Sequence, residues 1–213
     1  SKVAEHPITV MGELVHNNLV LDDLKKRGVH FKNEPEQVET KSAMITAHGA
    51  SNRTRNRAKA AGLQISDATC PLVNYAHKQI QELTAIGYHP IIVGRHGHVE
   101  VRGLTEDLAE CDVVLCEEEI NVLTPKPRFG VVAQTTQPIA RVRALVKHLK
   151  SCFPNSEVRF VDTVCQPTKQ RQIAAEKLAK KSDVVLVVGG VNSNNTHELT
   201  RTCRRFCERV HHV

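Results

Sequence analysis

Asp183-Val-Val-Leu-Val-Val188-Gly189-Gly190-Val191-Asn192-Ser193-Asn194-Asn195-Thr196 is the stretch that classes this chain. Val184–Val188, within a strand predicted at Asp183–Val188, is a short, continuous apolar run, far below the ~18 residues of a membrane span. An apolar run without alternation predicts a strand buried on both faces, as in a parallel sheet. Two glycines end it, small polar residues follow, and Thr196–Val210 then predicts a helix. Leu199, Cys203, Phe206, Cys207 and Val210 share one face of that helix and the arginines take the other. Strand, glycine-bearing loop and helix together make the unit of an α/β fold.

The same alternation runs back toward the start. Strands are predicted at Ile8–Met11, Ala43–Ala47, Leu63–Ile65, Pro90–Val93, Asp112–Leu115, Gly130–Ala133 and Val158–Val161. Helices are predicted at Val20–Gly28, Asn52–Gly62, His77–Gly87, Ile139–Lys150 and Lys169–Lys180. Strands alternating with helices imply mostly parallel sheets. Weak breaks fall at Cys70-Pro71 and between Asp162 and Pro167.

Composition narrows the class. The 213 residues are 40% apolar and 24% charged, which suits a folded core and excludes a disordered chain, a collagen or a coiled coil. The opening Ser-Lys-Val-Ala-Glu-His-Pro lacks the basic-then-apolar shape of a targeting signal. Aromatics are 3% with no Trp, so platforms for stacking nucleic-acid bases are scarce. Seven cysteines in no disulfide pattern imply a reducing compartment, with thiols as core, reactive groups or metal ligands. Residues 141–213 hold 14 Lys/Arg against 6 Asp/Glu, while the rest of the chain is slightly acidic. That basic end suits an anionic ligand or an acidic partner, or is a set of solvated helix faces.

The loops after the strands carry the functional signal. They read Gly12-Glu-Leu-Val-His16-Asn17, His48-Gly49-Ala-Ser51, Gly94-Arg-His96-Gly97-His98-Val-Glu100, Gln134-Thr135-Thr136 and Gly189-Gly190-Val-Asn192-Ser193-Asn194-Asn195. Ligands of parallel sheets collect at the carboxyl ends of strands, and these loops supply neutral or switchable donors suited to a phosphate. Each loop alone is an ordinary turn or cap; five alike point to one shared pocket. Cys70 in Asp67-Ala-Thr-Cys70-Pro71 and Cys165 in Asp162-Thr-Val-Cys165-Gln-Pro167 have the same setting. They are iron–sulfur ligands converging from separate segments, or two unrelated thiols. Cys203 and Cys207 read as core. Cys111 and Cys116 bracket a strand and point apart, and Cys152 ends a helix. His98 and Glu100, if extended, lie on one face, an anion ligand beside a proton donor whose pKa burial would raise.

Leu14-Val-His16-Asn17, Ala47-His48-Gly49, Asp67-Ala-Thr-Cys70-Pro71-Leu-Val, Gly97-His98-Val-Glu100-Val, Gln134-Thr135-Thr136, Cys165 and Asn192-Ser193-Asn194-Asn195 occur in one order. In that order the chain resembles the 4-hydroxy-3-methylbut-2-enyl diphosphate reductases, the LytB/IspH family, from about Val10 to Glu198. The resemblance implies small α/β domains in pseudo-threefold arrangement around a central cavity. It places them at 1–70, 71–161 and 162–213, the first lacking its start and the third its end. It implies a 4Fe–4S cluster with Cys70 and Cys165 as two of three cysteine ligands. It assigns His16, His48 and His98 to the substrate, chiefly its diphosphate. Ser193, Asn194 and Asn195 match a diphosphate loop, Thr135 orients substrate, and Glu100 supplies protons. Asn194 stands where many members have serine, and Val99 where proline is usual.

The implied reaction is reductive removal of an allylic hydroxyl to give isopentenyl and dimethylallyl diphosphate, the last step of the non-mevalonate pathway. A ferredoxin or flavodoxin would donate electrons. A cytoplasmic protein follows, plastid in a plant or alga, with no nucleic acid or membrane partner. The family's Phe-Cys-Ala-Gly-type loop, which carries the first cluster cysteine, has no counterpart, and no Cys precedes Cys70. Two other readings stay open. One is a metal hydrolase of a phosphorylated substrate, with His48, His96, His98 and Glu100 as ligands. The other is a cluster-free relic that only binds diphosphate.

Overall fold

The structure is a computed structural model and describes residues 7–213. The targeting-signal reading of the first residues lies, up to residue 6, outside them. Every strand pairing is parallel. The first sheet holds β1 (Ile8–Met11), β2 (His30–Lys32), β3 (Ser42–Ile45) and β4 (Gln64–Asp67), in the order β2-β1-β3-β4. The second holds β5 (His89–Val93), β6 (Asp112–Val114), β7 (Arg128–Ala133) and β8 (Glu157–Phe160), in the order β6-β5-β7-β8. The two orders are the same when each sheet is counted from its own first strand. The third sheet, β9 (Val185–Val187) beside β10 (Val210–His212), repeats the first two strands of that order.

The helices repeat too. α1 (Asn18–Lys26), α4 (Val99–Thr105) and α8 (Asn194–Arg204) each follow the first strand of a sheet. α2 (Asn52–Ala60) and α6 (Ile139–Cys152) follow the third strands β3 and β7, and α5 (Glu117–Asn121) follows β6. α3 (Pro71–Ala85) and α7 (Gln166–Ala179) carry the chain from one sheet to the next. The second sheet shows why its strands read as continuous apolar runs. Ile91, Val93, Phe129, Val131 and Ala133 pack against Val142, Leu145, Val146 and Leu149 of α6. Ile92 and Val132, on the other face, pack against Ala76, Ile80 and Leu83 of α3 and Val101 and Leu104 of α4. A strand covered on both faces has no polar side to alternate with.

The third sheet differs from its sequence reading. Val185 is buried, but Val184, Leu186 and Val188 are exposed, so only one face of this strand is covered. The helix expected over Thr196–Val210 ends at Arg204, and Val210 begins β10, paired with Val185. Cys203, Cys207 and Val210 are all buried in one cluster. Their spacing imitates a helical face, while a turn at Arg205–Phe206 and a strand satisfy it instead. Short polar β2 and the short helices α4 and α5 carry too little periodicity to be seen in sequence.

The first and second sheets are locked together at the start of α2. The buried Ser51 caps the helix and donates to Glu106 Oε2 at 2.7 Å. Asp107 accepts from the amides of Asn52 at 2.6 Å and Arg53 at 3.0 Å. Those amides lack intrahelical partners and form the positive end of the helix dipole, so carboxylates from the end of α4 satisfy both needs.

Candidate active site

Three imidazoles meet where the strand ends of the first and second sheets face each other. His16 follows β1, His48 follows β3 and His98 follows β5. Their ring centroids are 4.9 Å apart for His16–His48, 5.5 Å for His16–His98 and 5.8 Å for His48–His98. Each ring is anchored through Nδ1: His16 to Glu13 Oε2 at 3.0 Å, His48 to Thr46 Oγ1 at 3.3 Å, and His98 accepting from the Glu100 amide at 3.1 Å. The buried Nε2 of His16 has no protein partner. Burial holds His98 down to about 4, and His48, His16 and Arg95 add repulsion. Burial also lowers His48, with His16 adding to it and Glu13 opposing. Burial therefore disfavours the charged form of both His48 and His98.

Glu100 is the buried acid of the site, 2% exposed. Its backbone is not extended, as the sequence reading has it. His98 is the cap of α4 and Glu100 lies in its first turn, because Val101 and Leu104, three apart, bury into the second core. Glu100 accepts from the Thr135 amide at 2.6 Å and from Thr135 Oγ1 at 2.9 Å. Burial raises its pKa to about 7, against the lowering effect of the two Thr135 bonds. A carboxylic acid that holds a proton near neutral pH is equipped to deliver it.

Cys70 and Cys165 cap α3 and α7 with proline in the first turn of each helix. Each amide donates to the loop after the neighbouring third strand: Cys70 to Ala47 O at 3.1 Å, Cys165 to Thr135 O at 3.0 Å. Each cysteine therefore sits against a site loop, beside His48 or at Thr135. Asp67 and Asp162, three residues before the cysteines, accept from the amides of Thr69 and Val164 at 3.0 and 3.2 Å. A cation neutralises each aspartate, Arg55 for Asp67 and Lys169, at 2.8 Å, for Asp162. Arg55 also donates to Ala50 O at 3.1 Å and Thr69 Oγ1 at 3.0 Å, tying the His48 loop to the Cys70 loop. Gly49, at φ +77°, lets these loops touch, since a Cβ there would sit 3.1 Å from Thr69 and Val73.

As donors, two half-buried free thiols at the starts of α3 and α7, each held against a site loop, suit a cluster. They are too few for a complete set: among the described residues no group of three or more His, Cys, Asp or Glu is placed to hold a metal. The same finding corrects the hydrolase set. Exposed His96 bonds Glu119 at 2.8 Å, and Glu100 is taken by Thr135, so His48, His96, His98 and Glu100 form no ligand shell. Cys203 and Cys207 are core, as read from sequence.

The third sheet brings its own loop to the junction. Ser193 caps α8, accepting from the Thr196 amide at 3.3 Å. Asn194 donates to Thr136 Oγ1 at 3.1 Å, and the buried Asn195 Oδ1 has no partner. Gly190 packs so closely on His16 that any Cβ would collide with the His16 carbonyl. A cavity of about 370 Å³ opens beside the histidines, lined by Glu13, His16, Arg95, His96, His98 and Asn192 among others. Sequence reading singled out neither Arg55, nor Gly190 as a contact, nor Gln134 as the acceptor of the Arg95 amide at 3.0 Å. No spacing rule links residues so far apart; the Asp-x-x-Cys repeat, with an Asp in need of a cation, is the one usable signal.

A family model described as LytB protein matches residues 1–213. The chain belongs to the LytB family. Its relatives include a 4-hydroxy-3-methylbut-2-enyl diphosphate reductase of Acinetobacter baumannii, 38% identical over 208 residues, covering 94% of this chain and 66% of the relative. Another, from Anaeromyxobacter sp. (strain Fw109-5), is 36% identical over 217 residues, covering 100% of this chain and 76% of its own. The chain thus spans just under two thirds of the Acinetobacter relative. Among solved structures, the E-1-hydroxy-2-methyl-but-2-enyl-4-diphosphate reductase from Plasmodium falciparum matches with a TM-score of 0.90 at 31% identity, over 100% of this chain and 68% of that one. A structure titled (E)-4-hydroxy-3-methyl-but-2-enyl diphosphate reductase, the terminal enzyme of the non-mevalonate pathway, matches with a TM-score of 0.67 at 29% identity, over 99% and 76%. The family and its solved structures support the parallel α/β architecture.

Proposed function

We propose that this chain is the substrate-binding and proton-delivering part of a 4-hydroxy-3-methylbut-2-enyl diphosphate reductase. The observation that carries this is the junction itself. Three imidazoles within 5.8 Å of one another stand at the same strand ends as a buried acid whose pKa is about 7. We place the units at 1–70, 71–161 and 162–213. In this reading His16, His48, His98 and the Ser193–Asn195 loop hold the diphosphate, Thr135 orients the allylic end, and Glu100 gives protons.

Cys70 and Cys165 are two ligands of a 4Fe–4S cluster, and a further donor must come from outside the described residues or from an added thiol. Such a cluster, when bound, supplies two electrons singly and a Lewis-acidic iron. The overall change takes two electrons and two protons, releases the hydroxyl as water and leaves a five-carbon diphosphate. Glu100 passes a proton to the departing hydroxyl oxygen, and its carboxylate can be reloaded through Thr135 Oγ1. His48 and His98, whose charged forms burial disfavours, gain charge as the diphosphate enters, so binding strength is spent where the anion sits. An acidic one-electron carrier of ferredoxin or flavodoxin type suits the exposed arginines of α8 and beyond, Arg201, Arg204, Arg205 and Arg209. No helix among the described residues is long and apolar enough to cross a membrane.

The test is anaerobic. Iron and sulfide are loaded with an added thiol, dithionite with a viologen dye supplies electrons, and isopentenyl and dimethylallyl diphosphates are measured. Iron with both products supports the reductase. Pyrophosphate binding with neither iron nor product supports the relic, and phosphate release with zinc alone supports a hydrolase.

A further inference from the structure

We propose that Glu198 is a positioning residue, whose buried pairing with Arg141 sets the Ser193–Asn195 loop at the distance from the Thr135–Thr136 loop that a diphosphate requires. The proposal rests on the reading of this junction as a diphosphate site. Glu198 lies on α8 and its side chain is 3% exposed. Its Oε1 accepts from Arg141 of α6 at 2.9 Å and from Arg201 of its own helix at 3.0 Å. The other oxygen, Oε2, is buried with no partner.

A carboxylate in this state is a poor way to gain stability. It loses its water, uses one oxygen twice and leaves the other unpaired, and an apolar side chain of similar size would be cheaper. What the pair does is fix geometry. Arg141 also donates to Gln137 Oε1 at 3.4 Å, Gln137 Nε2 to Gln134 Oε1 at 3.0 Å, and Gln134 Oε1 accepts from the Arg95 amide at 3.0 Å. One line of bonds therefore runs from the His98 loop, through the loop after β7, into α8. Asn194 to Thr136 is a second tie between the same two loops. Thr135, the partner of Glu100, lies next to Thr136 on that loop. Asn195 and Glu198, three apart, share a face of α8, so a shift of Glu198 moves the unpartnered Asn195 acceptor with it.

Arg201 provides the control. It binds the same oxygen, but it is 61% exposed and belongs to the same helix, so it cannot tie two loops. The experiment titrates the full chain with inorganic pyrophosphate by calorimetry, after thermal melts show each variant folded. Arg141→Met and Glu198→Gln should each weaken binding about tenfold, the double variant no more than either alone, and Arg201→Met less than about twofold. Arg141→Lys, which keeps a positive charge facing the buried Glu198 but not the reach to Gln137, should weaken it severalfold. Equal loss in Arg201→Met and Arg141→Met overturns the proposal, as do additive losses in the double variant. Unchanged affinity with a lowered melting temperature also overturns it, since that is a purely structural effect. No binding by the unaltered chain overturns the diphosphate reading and the proposal together, an outcome distinct from affinity that Arg141→Met leaves intact.

Discussion

Glu100→Gln separates the proton held by this residue from its packing. The protonated acid and the amide have the same shape, and both accept from the Thr135 amide through Oε1. Only the acid can ionise. Burial lifts its pKa from an ordinary 4.5 to about 7, so the folded protein binds this proton more tightly than the unfolded chain. Stability from that preference is complete below about 4.5 and is lost as pH rises through about 7. At ~1.4 kcal/mol per tenfold change in proton affinity, the full loss is about 3 kcal/mol. Glu100→Gln and the unaltered chain should therefore have similar unfolding free energies, within a constant offset, at pH 4.5. Above pH 8 the variant should be the more stable by up to about 3 kcal/mol relative to that offset. His48 and His98 titrate in both proteins and cancel in the difference. Urea unfolding at half-unit steps from pH 4.5 to 9 reads it, with a midpoint shift of about 1 M at an ordinary urea slope. A difference that stays flat across this range refutes the buried-acid assignment, and with it the proton-delivery role.

The same variant should retain pyrophosphate binding and lose about 10²–10⁴-fold in turnover, the span of a general acid; unchanged turnover removes Glu100 from the reaction. Pyrophosphate binding at pH 6–7 should be accompanied by net proton uptake as His48 and His98 regain charge beside the anion. Calorimetry in two buffers of different ionisation enthalpy reads this, and His98→Asn should reduce the uptake. Gly190→Ala should push the third-sheet loop off the His16 carbonyl and weaken pyrophosphate binding about tenfold or more, with a much smaller change in melting temperature. Cys165→Ser should lower iron loading while Cys203→Ser lowers only stability, Cys203 being buried in the core of the third sheet; equal iron loss in both removes the distinction between ligand and core thiols.

Strand-ending loops were legible because their chemistry repeats. Gly with His, Thr, Ser or Asn after an apolar run marks a carboxyl strand end, and the structure brings His16, His48 and His98 together as that pattern implies. Less legible was anything set by competition between local and distant partners. Cys203, Cys207 and Val210 fit a helix by spacing, yet Val210 pairs with Val185 because sheet hydrogen bonds and burial against Ala179 outweigh one more helical turn. His98 and Glu100 fit a strand by proximity to β5, yet an imidazole cap and two buried apolar residues three apart make that segment helical.

Sequence by itself determined the α/β class, the order of the site loops and the residue types at the junction, because each depends on short-range pattern or on chemistry written in a few adjacent residues. Tertiary structure alone decided which groups carry charge and which contacts set distance. The raised pKa of Glu100 comes from burial and is opposed by its bonds from Thr135, 35 residues away, and the pairing of Arg141 with Glu198 spans 57. Desolvation and long-range pairing exist only when the chain has closed on itself, so no local reading of residues contains them.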